Sequence, residues 1–212
     1  NPQKIEVLAN TFSVLNPELS IRPQKNEEIF EILFVGRLVE EKGVNDLPKI
    51  FSQLKLRIKD SISLTIVGEG PLRNSIKKFA EEEEGVHFLG KVSDDRLIEL
   101  YKRAHVVIMP SRYEASPLVL NEALSFGCAV VAYSIPPILD SIKLRKYPPR
   151  RSVKVVSMRS IHEMVNAIVY YYNIWKEGAW NNIEQDAVSS VTTLSEYVDD
   201  FSRKILKINA SL

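Results

Sequence analysis

Six short apolar runs, each followed by a turn and most then by an amphipathic stretch, constrain this chain more than any other feature. They are EILFVG (31–36), SLTIVG (63–68), VHFLG (86–90), HVVIMP (105–110), AVVAYS (129–134) and VKVVS (153–157). Most are rich in β-branched residues and apolar on both faces, as strands covered by helices on both sides must be. Amphipathic segments lie between them, at roughly 45–59, 71–84, 94–103 and 117–126, with a weaker one after Pro137. The alternation predicts an α/β fold: a Rossmann-like, doubly wound, mostly parallel six-stranded sheet with helices on both faces. Two longer helical patterns, roughly 159–176 and 192–208, close the chain. Residues 1–28 carry scattered Pro, Asn and Ser, and only KIEVLA resembles a strand. They read as a linker or entering strand before one domain at 29–212.

Composition narrows the function classes. A net charge of +1 over 212 residues gives no general pull toward nucleic acid or a membrane surface, so any anion site must be local. The single cysteine, Cys128, excludes an intrachain disulfide and fits a reducing compartment. No apolar run approaches the roughly 20 residues of a membrane-spanning helix, and no secretion signal is visible. The chain opens on Asn1 rather than methionine, as a fragment or processed product would. The acidic run Glu81–Glu84 reads as a solvated helix end.

In open α/β sheets, ligands sit beyond the carboxyl ends of the strands, so chemistry must come from strand-to-helix turns. The first such turn is GRLVEEKG (36–43). Gly36 permits close backbone approach, and Arg37 and Lys42 flank a loop that leads into a helix. Either these are two solvated cations or, with the positive end of the helix, they make a diphosphate cradle. GEGP (68–71) lacks the longer glycine pattern and Lys-Ser/Thr of a phosphate loop and reads as a tight turn. In YEASPLVLNEALSFG (113–127), Ser116 suits the helix cap, Pro117 the first helical position and Gly127 the stop. Glu114 falls in the loop, and Glu122 lies about 9 Å along the helix axis past the cap. The first-turn amides near Leu118 and Val119 then offer an anion site flanked by two carboxylates. That suits a ligand with phosphate in its middle and hydroxyls at both ends, as in a nucleotide sugar. The competing reading of Glu122 is an exposed helix position with its charge in water.

These segments resemble, in order, the C-terminal domain of GT-B retaining glycosyltransferases, the glycosyl transferases group 1 family. ILFVGRLVEEKGV is similar to the family's strand-Gly-Arg-Leu…Lys-Gly segment, and LTIVGEGPLR to its Val-Gly-Glu-Gly-Pro turn. VHFLGKVSDDRLIELYKRAHVVIMPS resembles the strand, helix and strand that follow. EASPLVLNEALSFGCAVVA resembles its Glu-x7-Glu signature and the next strand. The likeness spans about residues 30–135, and VLANTFSVLNP resembles the segment joining the two domains of such enzymes.

The resemblance implies a donor-binding domain of an enzyme that transfers a sugar from a nucleotide sugar, such as a UDP- or GDP-sugar, to a hydroxyl acceptor with retention. It implies that Arg37 and Lys42, with Gly36 beside them, hold the donor diphosphate and that Glu122 hydrogen-bonds the ribose. It also implies that Glu114, with the amides of Leu118 and Val119 after it, faces the donor sugar, and that backbone at Lys91 and Val92 borders the base. The catalytic part of Glu114 stays open, a glycosidase-like nucleophile being one alternative. No metal or other cofactor is implied. The partners implied are the donor and the N-terminal acceptor domain of the same enzyme, without which this chain is expected to be inactive. Nucleic acid is not among them. The location implied is cytoplasmic, with peripheral contact at the inner membrane face left open.

Three features depart from the family pattern: Ala115 replaces a glycine, Pro136-Pro137 replaces Gly-Gly, and SIKLRKYPPRR lacks the usual acidic, glycine-rich character. The Pro136-Pro137 departure favours the alternative of a non-catalytic nucleotide-sugar-binding or regulatory module of the same fold. A dinucleotide-dependent oxidoreductase is the other rival, opposed by the absence of Gly-x-Gly-x-x-Gly after the first strand.

Other residues read as structural. His87 and His105 lie in or beside strands and are expected to pack, His162 has no evident partner, and Cys128 is expected to be a buried thiol. YYYNIW with Trp180 is expected to pack a helix on the sheet. KLRKYPPRR (143–151) is expected to be an exposed basic loop, with anionic headgroups as its one functional reading.

Overall fold

The computed structural model describes residues 25–59, 62–145 and 148–191. Six strands alternate with helices: β1 (Phe30–Val35), β2 (Ile62–Val67), β3 (Val86–Gly90), β4 (Val106–Met109), β5 (Ala129–Tyr133) and β6 (Val153–Val156). The helices are α1 (Leu47–Arg57), α2 (Arg73–Glu82), α3 (Asp94–Arg103), α4 (Leu118–Ser125), α5 (Pro136–Lys143), α6 (Ile161–Lys176) and α7 (Asn181–Ser189). The strand order is β3-β2-β1-β4-β5-β6, the order of a doubly wound dinucleotide-type sheet. Every pairing is parallel, so the expected "mostly parallel" sheet is wholly parallel among the described strands. The order in which the strands are added reverses between β1 and β4, which pair in parallel through Ile32 with Val106 and Leu33 with Val107.

Alternate residues of each strand feed two cores. On one face Ile32, Phe34, Ile66, Ile108 and Val131 pack under α1 and α6 with Leu47, Phe51, Leu54, Met164 and Ile168. On the other, Leu33, Val107, Val130 and Ala132 pack under α3, α4 and α5 with Tyr101, Leu120, Leu124 and Ile138. Full burial of each such Leu, Ile or Phe is worth about 1.5–3 kcal/mol, which holds the strand ends in one plane. Ser93 caps α3 by accepting from the Arg96 amide, and Ser160 caps α6 by accepting from Glu163.

Away from the carboxyl edge, Lys25 Nζ donates to the carbonyls of Ala104 (2.5 Å), Phe126 (3.1 Å) and Tyr101 (3.3 Å). A cation placed on the last carbonyls of α3 and α4 satisfies groups that no helical amide reaches. His105 is wholly buried, stacks on Phe30 and accepts the Glu31 amide through Nδ1 at 3.0 Å. Burial pushes its pKa down to about 3, with Lys25 adding to the effect. Cys128 is buried, as expected, and its thiol donates to the Tyr101 carbonyl at 3.2 Å. Tyr171, Tyr172, Trp175 and Trp180 pack into the first core, as expected.

Two expectations are corrected, and one helix is new. His87 is exposed on β3, the edge strand among the described strands, where the helical cover of the sheet thins out. Arg145, expected in an exposed loop, is buried, donating to the Ser190 carbonyl at 2.9 Å and to Asn121 Oδ1. Helix α7 was not anticipated, since NNIEQDAVS offers only Ile183 and Ala187 to the core. The segment 1–24 and the helical pattern at 192–208 lie outside the described residues. Among the described residues, no helix is long and apolar enough to cross a membrane.

Candidate functional site

The carboxyl ends of the three strands β1, β2 and β3 continue as a staircase of turns. The Gly36 amide donates to the Val67 carbonyl at 3.0 Å, and the Gly68 amide to the Gly90 carbonyl at 2.9 Å. The turn at 68–71 also clasps the first loop: Leu38 N–H donates to Glu69 O at 2.8 Å and Leu72 N–H to Leu38 O at 3.0 Å. GEGP is therefore a structural brace, as the tight-turn reading anticipated.

The loop after β1 folds into two short 3-10 turns, Glu40–Lys42 and Val44–Asp46, with Gly43 between them at φ 68°. A Cβ at Gly43 would stand 1.9 Å from the Pro110 carbonyl oxygen, so only glycine lets this loop lie against the loop after β4. The two loops are then stitched together: the Arg112 and Tyr113 amides donate to the Glu41 carbonyl at 2.7 and 3.3 Å. This junction sits at the reversal between β1 and β4, where open α/β sheets place their ligands.

The side chains at the junction form paired charges. Lys42 Nζ lies 2.5 Å from Glu114 Oε2, and Ser111 Oγ donates to Glu114 Oε1 at 2.8 Å. Glu114 is only 8% exposed, and burying a carboxylate there is tolerable because both oxygens are satisfied. Behind them Asp46 Oδ2 accepts from the Tyr133 hydroxyl at 3.0 Å, and Asp46 Oδ1 lies 3.4 Å from Arg112 Nη2. Burial and the Asp46 charge raise the Tyr133 pKa above its ordinary value, so it stays a donor. Arg37 is exposed at the rim of the same loop.

Glu122 is half-buried, and its Oε2 accepts from the Tyr101 hydroxyl at 2.7 Å. It is thus partnered rather than solvated alone. Helix α4 starts one residue later than expected, with Pro117 as its cap residue and no side-chain cap. The Leu118 amide donates to the Ser116 carbonyl at 2.9 Å, and the Leu120 amide to the Pro117 carbonyl at 3.1 Å. The Leu118 amide is thus engaged in closing the Ser-Pro turn. Leu118 itself is 47% exposed beside the exposed Tyr113 loop.

Pro136 and Pro137 begin α5, so its first two positions carry no N–H. The Ile138 and Leu139 amides both donate to the Ile135 carbonyl at 3.1 Å. The first turn of α5 therefore presents no donor to a ligand. At the far side, the Lys91 amide lies 3.3 Å from Glu69 Oε1, while Val92 packs into the second core. Arg73 pairs with Glu69 and holds its carboxyl below the ordinary range.

The structure thus brings Lys42 and Glu114 into one interlocked junction, while Gly36 is tied to the end of β2 and Arg37 is exposed on the same loop as Lys42. Val119 and Glu122 follow on α4, and Lys91 and Val92 border the same sheet edge two strands away. Sequence reading missed Ser111, Arg112, Asp46, Tyr101 and Tyr133. Ser111 and Arg112 were signalled by their place just before Glu114. Asp46 closes the same loop as Lys42, whereas Tyr101 and Tyr133 come from α3 and β5.

This is a doubly wound α/β domain with a charged, hydrogen-bonded loop junction at its switch point. Residues 16–172, well over half of the chain, match the family described as glycosyl transferases group 1, and the chain belongs to that family. An uncharacterized glycosyltransferase of Methanocaldococcus jannaschii is 34% identical over 146 residues, covering 68% of this chain and 36% of the relative. The glycogen synthase of Mycobacterium tuberculosis is 34% identical over 108 residues, covering 50% of this chain and 26% of the relative. The chain spans about a third of the length of the curated relatives it matches. Among solved structures, the apo lipopolysaccharide outer core galactosyltransferase WaaB superposes with a TM-score of 0.70 at 20% identity. That match covers 98% of this chain and 57% of WaaB. TarM superposes with a TM-score of 0.68 at 18% identity, over 93% of this chain and 38% of TarM. The fold is that of a GT-B glycosyltransferase domain.

Proposed function

We propose that residues 29–212 form the donor-binding domain of a retaining glycosyltransferase, which transfers a sugar from a nucleotide sugar to a hydroxyl acceptor. The observation that supports this reading is the interlocked junction where the strand order reverses, at which the Lys42–Glu114 pair and the stitched loops after β1 and β4 lie just before the start of α4. The donor diphosphate lies against Arg37, Lys42 and the Val119 amide. The ribose lies toward Glu122, the sugar toward Glu114, and the base toward the backbone at Lys91 and Val92. Lys42 is already charge-paired with Glu114, so one cation serves both the phosphate and the carboxylate that faces the sugar.

Catalysis on this reading is chiefly electrostatic. Preorganised cations and amides stabilise the negative charge that develops on the departing diphosphate, so no metal ion is needed for that step. Transfer requires a second domain that holds the acceptor in register, because rate depends on the relative placement of the two reactants. A UDP- or GDP-sugar has the required anatomy.

A second reading, a non-catalytic binding module of this fold, is favoured by Pro136-Pro137, which leaves the α5 terminus without donors. Both readings require nucleotide binding; only the first requires transfer once an acceptor domain is supplied. Replacing Glu122 by Ala removes charge-assisted hydrogen bonds worth about 1.5–3 kcal/mol, so nucleotide affinity should fall about tenfold or more. Thermal-shift titration with nucleotides and nucleotide sugars reads this directly. Unchanged affinity would return Glu122 to a purely structural role.

A further inference from the structure

Tyr101 lies at the C-terminal turn of α3, a helix that carries none of the junction residues, yet its hydroxyl reaches Glu122. Its ring is 1% exposed and stacked flat on Phe126, with centroids 5.5 Å apart and planes at 2°. Its carbonyl accepts the Cys128 thiol at 3.2 Å and Lys25 Nζ at 3.3 Å. Ring and backbone are therefore fixed from three sides, and the hydroxyl is delivered to Glu122 Oε2 at 2.7 Å. Burial, and then the neighbouring Glu122 charge, raise its pKa well above the ordinary tyrosine value, so it remains a donor. The next residue on α4, Asn121, is held separately by Arg145, whose guanidinium also donates to the Ser190 carbonyl at 2.9 Å.

From this arrangement we infer that Tyr101 is the positioning residue of Glu122. It holds one carboxylate oxygen and sets the rotamer, so that the other oxygen meets the vicinal diol of a ribose. This rests on the nucleotide-sugar reading above and deepens it, since it makes the ribose diol the group selected by the pair. A glutamate has three rotatable side-chain bonds, and fixing them before the ligand arrives removes an ordering cost from binding. The competing account, that Glu122 serves only to satisfy a buried hydroxyl, predicts no dependence on the ligand's diol.

The test uses the 212-residue chain and calorimetry with ADP, GDP, UDP and CDP. The tightest of these is then compared with its 2′,3′-dideoxy analogue. Tyr101→Phe keeps the ring stack and should weaken the ribonucleoside diphosphate about fivefold, the equivalent of one immobilised side chain. The dideoxy compound should change by less than about twofold, since it makes no bond for Glu122 to orient. In a Glu122→Ala background, Tyr101→Phe should have no further effect on the ribonucleotide. Equal loss for both ligands, which a damaged fold would also give, overturns the inference, as does no loss for either or an undiminished loss in the Ala background. In those cases wild-type binding leaves the donor reading standing. A wild-type chain that binds none of the four diphosphates overturns the donor reading and the inference with it.

Discussion

Glu114 and Lys42 share one contact, and each is the other's strongest restraint: 2.5 Å apart, with Glu114 buried and Lys42 a quarter exposed. Removing the carboxylate therefore has opposite consequences for two ligands. Glu114→Ala frees Lys42 to turn wholly to phosphate, so affinity for a free nucleoside diphosphate should hold or rise. The same change removes the acceptor proposed for the sugar hydroxyls, so the nucleotide sugar should bind more weakly, by about tenfold for one lost charge-assisted bond. Titration of both ligands against the variant checks the assignment; equal loss would mean that the two glutamates have been given the wrong ends of the donor. Glu114 and Glu122 were legible because carboxylates are costly among apolar neighbours and their seven-residue interval spans one loop-to-helix turn. Their partners were not. Ser111 is three residues from Glu114, but Tyr101 lies 21 residues before Glu122 on another helix, and no local periodicity records such a contact.

At the scale of elements, the strands were legible because both faces of a central parallel strand are covered, which leaves a continuous apolar run. Helix α7 was not, since its order comes from partners such as the Asp186 carboxylate. That group accepts from the Arg151 and Ser152 amides, both at 2.8 Å. Arg145 misled for the same reason: a cation between two lysines and just before a Pro-Pro pair reads as solvated, and its burial is met by Asn121 and Ser190 from elsewhere in the chain. Two loops with no regular pattern, 36–46 and 110–117, carry the site, and Gly43 decides whether they meet. Gly43→Ala forces both a left-handed φ on an L-residue and a clash with Pro110, costing at least about 1–3 kcal/mol. Thermal unfolding should fall by about 5 °C or more, and diphosphate affinity should fall with it. An unchanged melting temperature would show that the loops do not interlock in this way. The β1–β4 pairing makes a separate prediction through His105. Its pKa is 6.5 in an open chain and about 3 when folded, so below pH 6.5 the unfolded state takes up a proton that the native state refuses. Stability contributed by neutral His105 is present above pH 6.5 and is lost as pH falls toward 3, at up to about 1.4 kcal/mol per pH unit. Denaturant unfolding between those values should be less steep in pH for His105→Gln than for the parent chain. Identical slopes would contradict the burial assigned to His105.

At the scale of the whole molecule, the proposed anion site is assembled within one domain, from the loop at Arg37–Lys42 and the start of α4. Binding of a diphosphate should therefore need no second domain, although transfer should. A one-sided crevice leaves much of the ligand in water, where screening weakens each ion pair, so affinity should be modest and should fall as salt rises. Calorimetry on the 212-residue chain tests this most directly, with ADP, GDP, UDP and CDP, their parent nucleosides, and the Arg37→Ala variant. The account predicts that at least one diphosphate binds and that its nucleoside binds about tenfold more weakly or less well still, as the loss of one or two charge-assisted contacts requires. It also predicts that Arg37→Ala weakens the diphosphate while leaving the nucleoside unchanged. Failure of all four diphosphates to bind, or binding indifferent to phosphate, salt and Arg37, would contradict it.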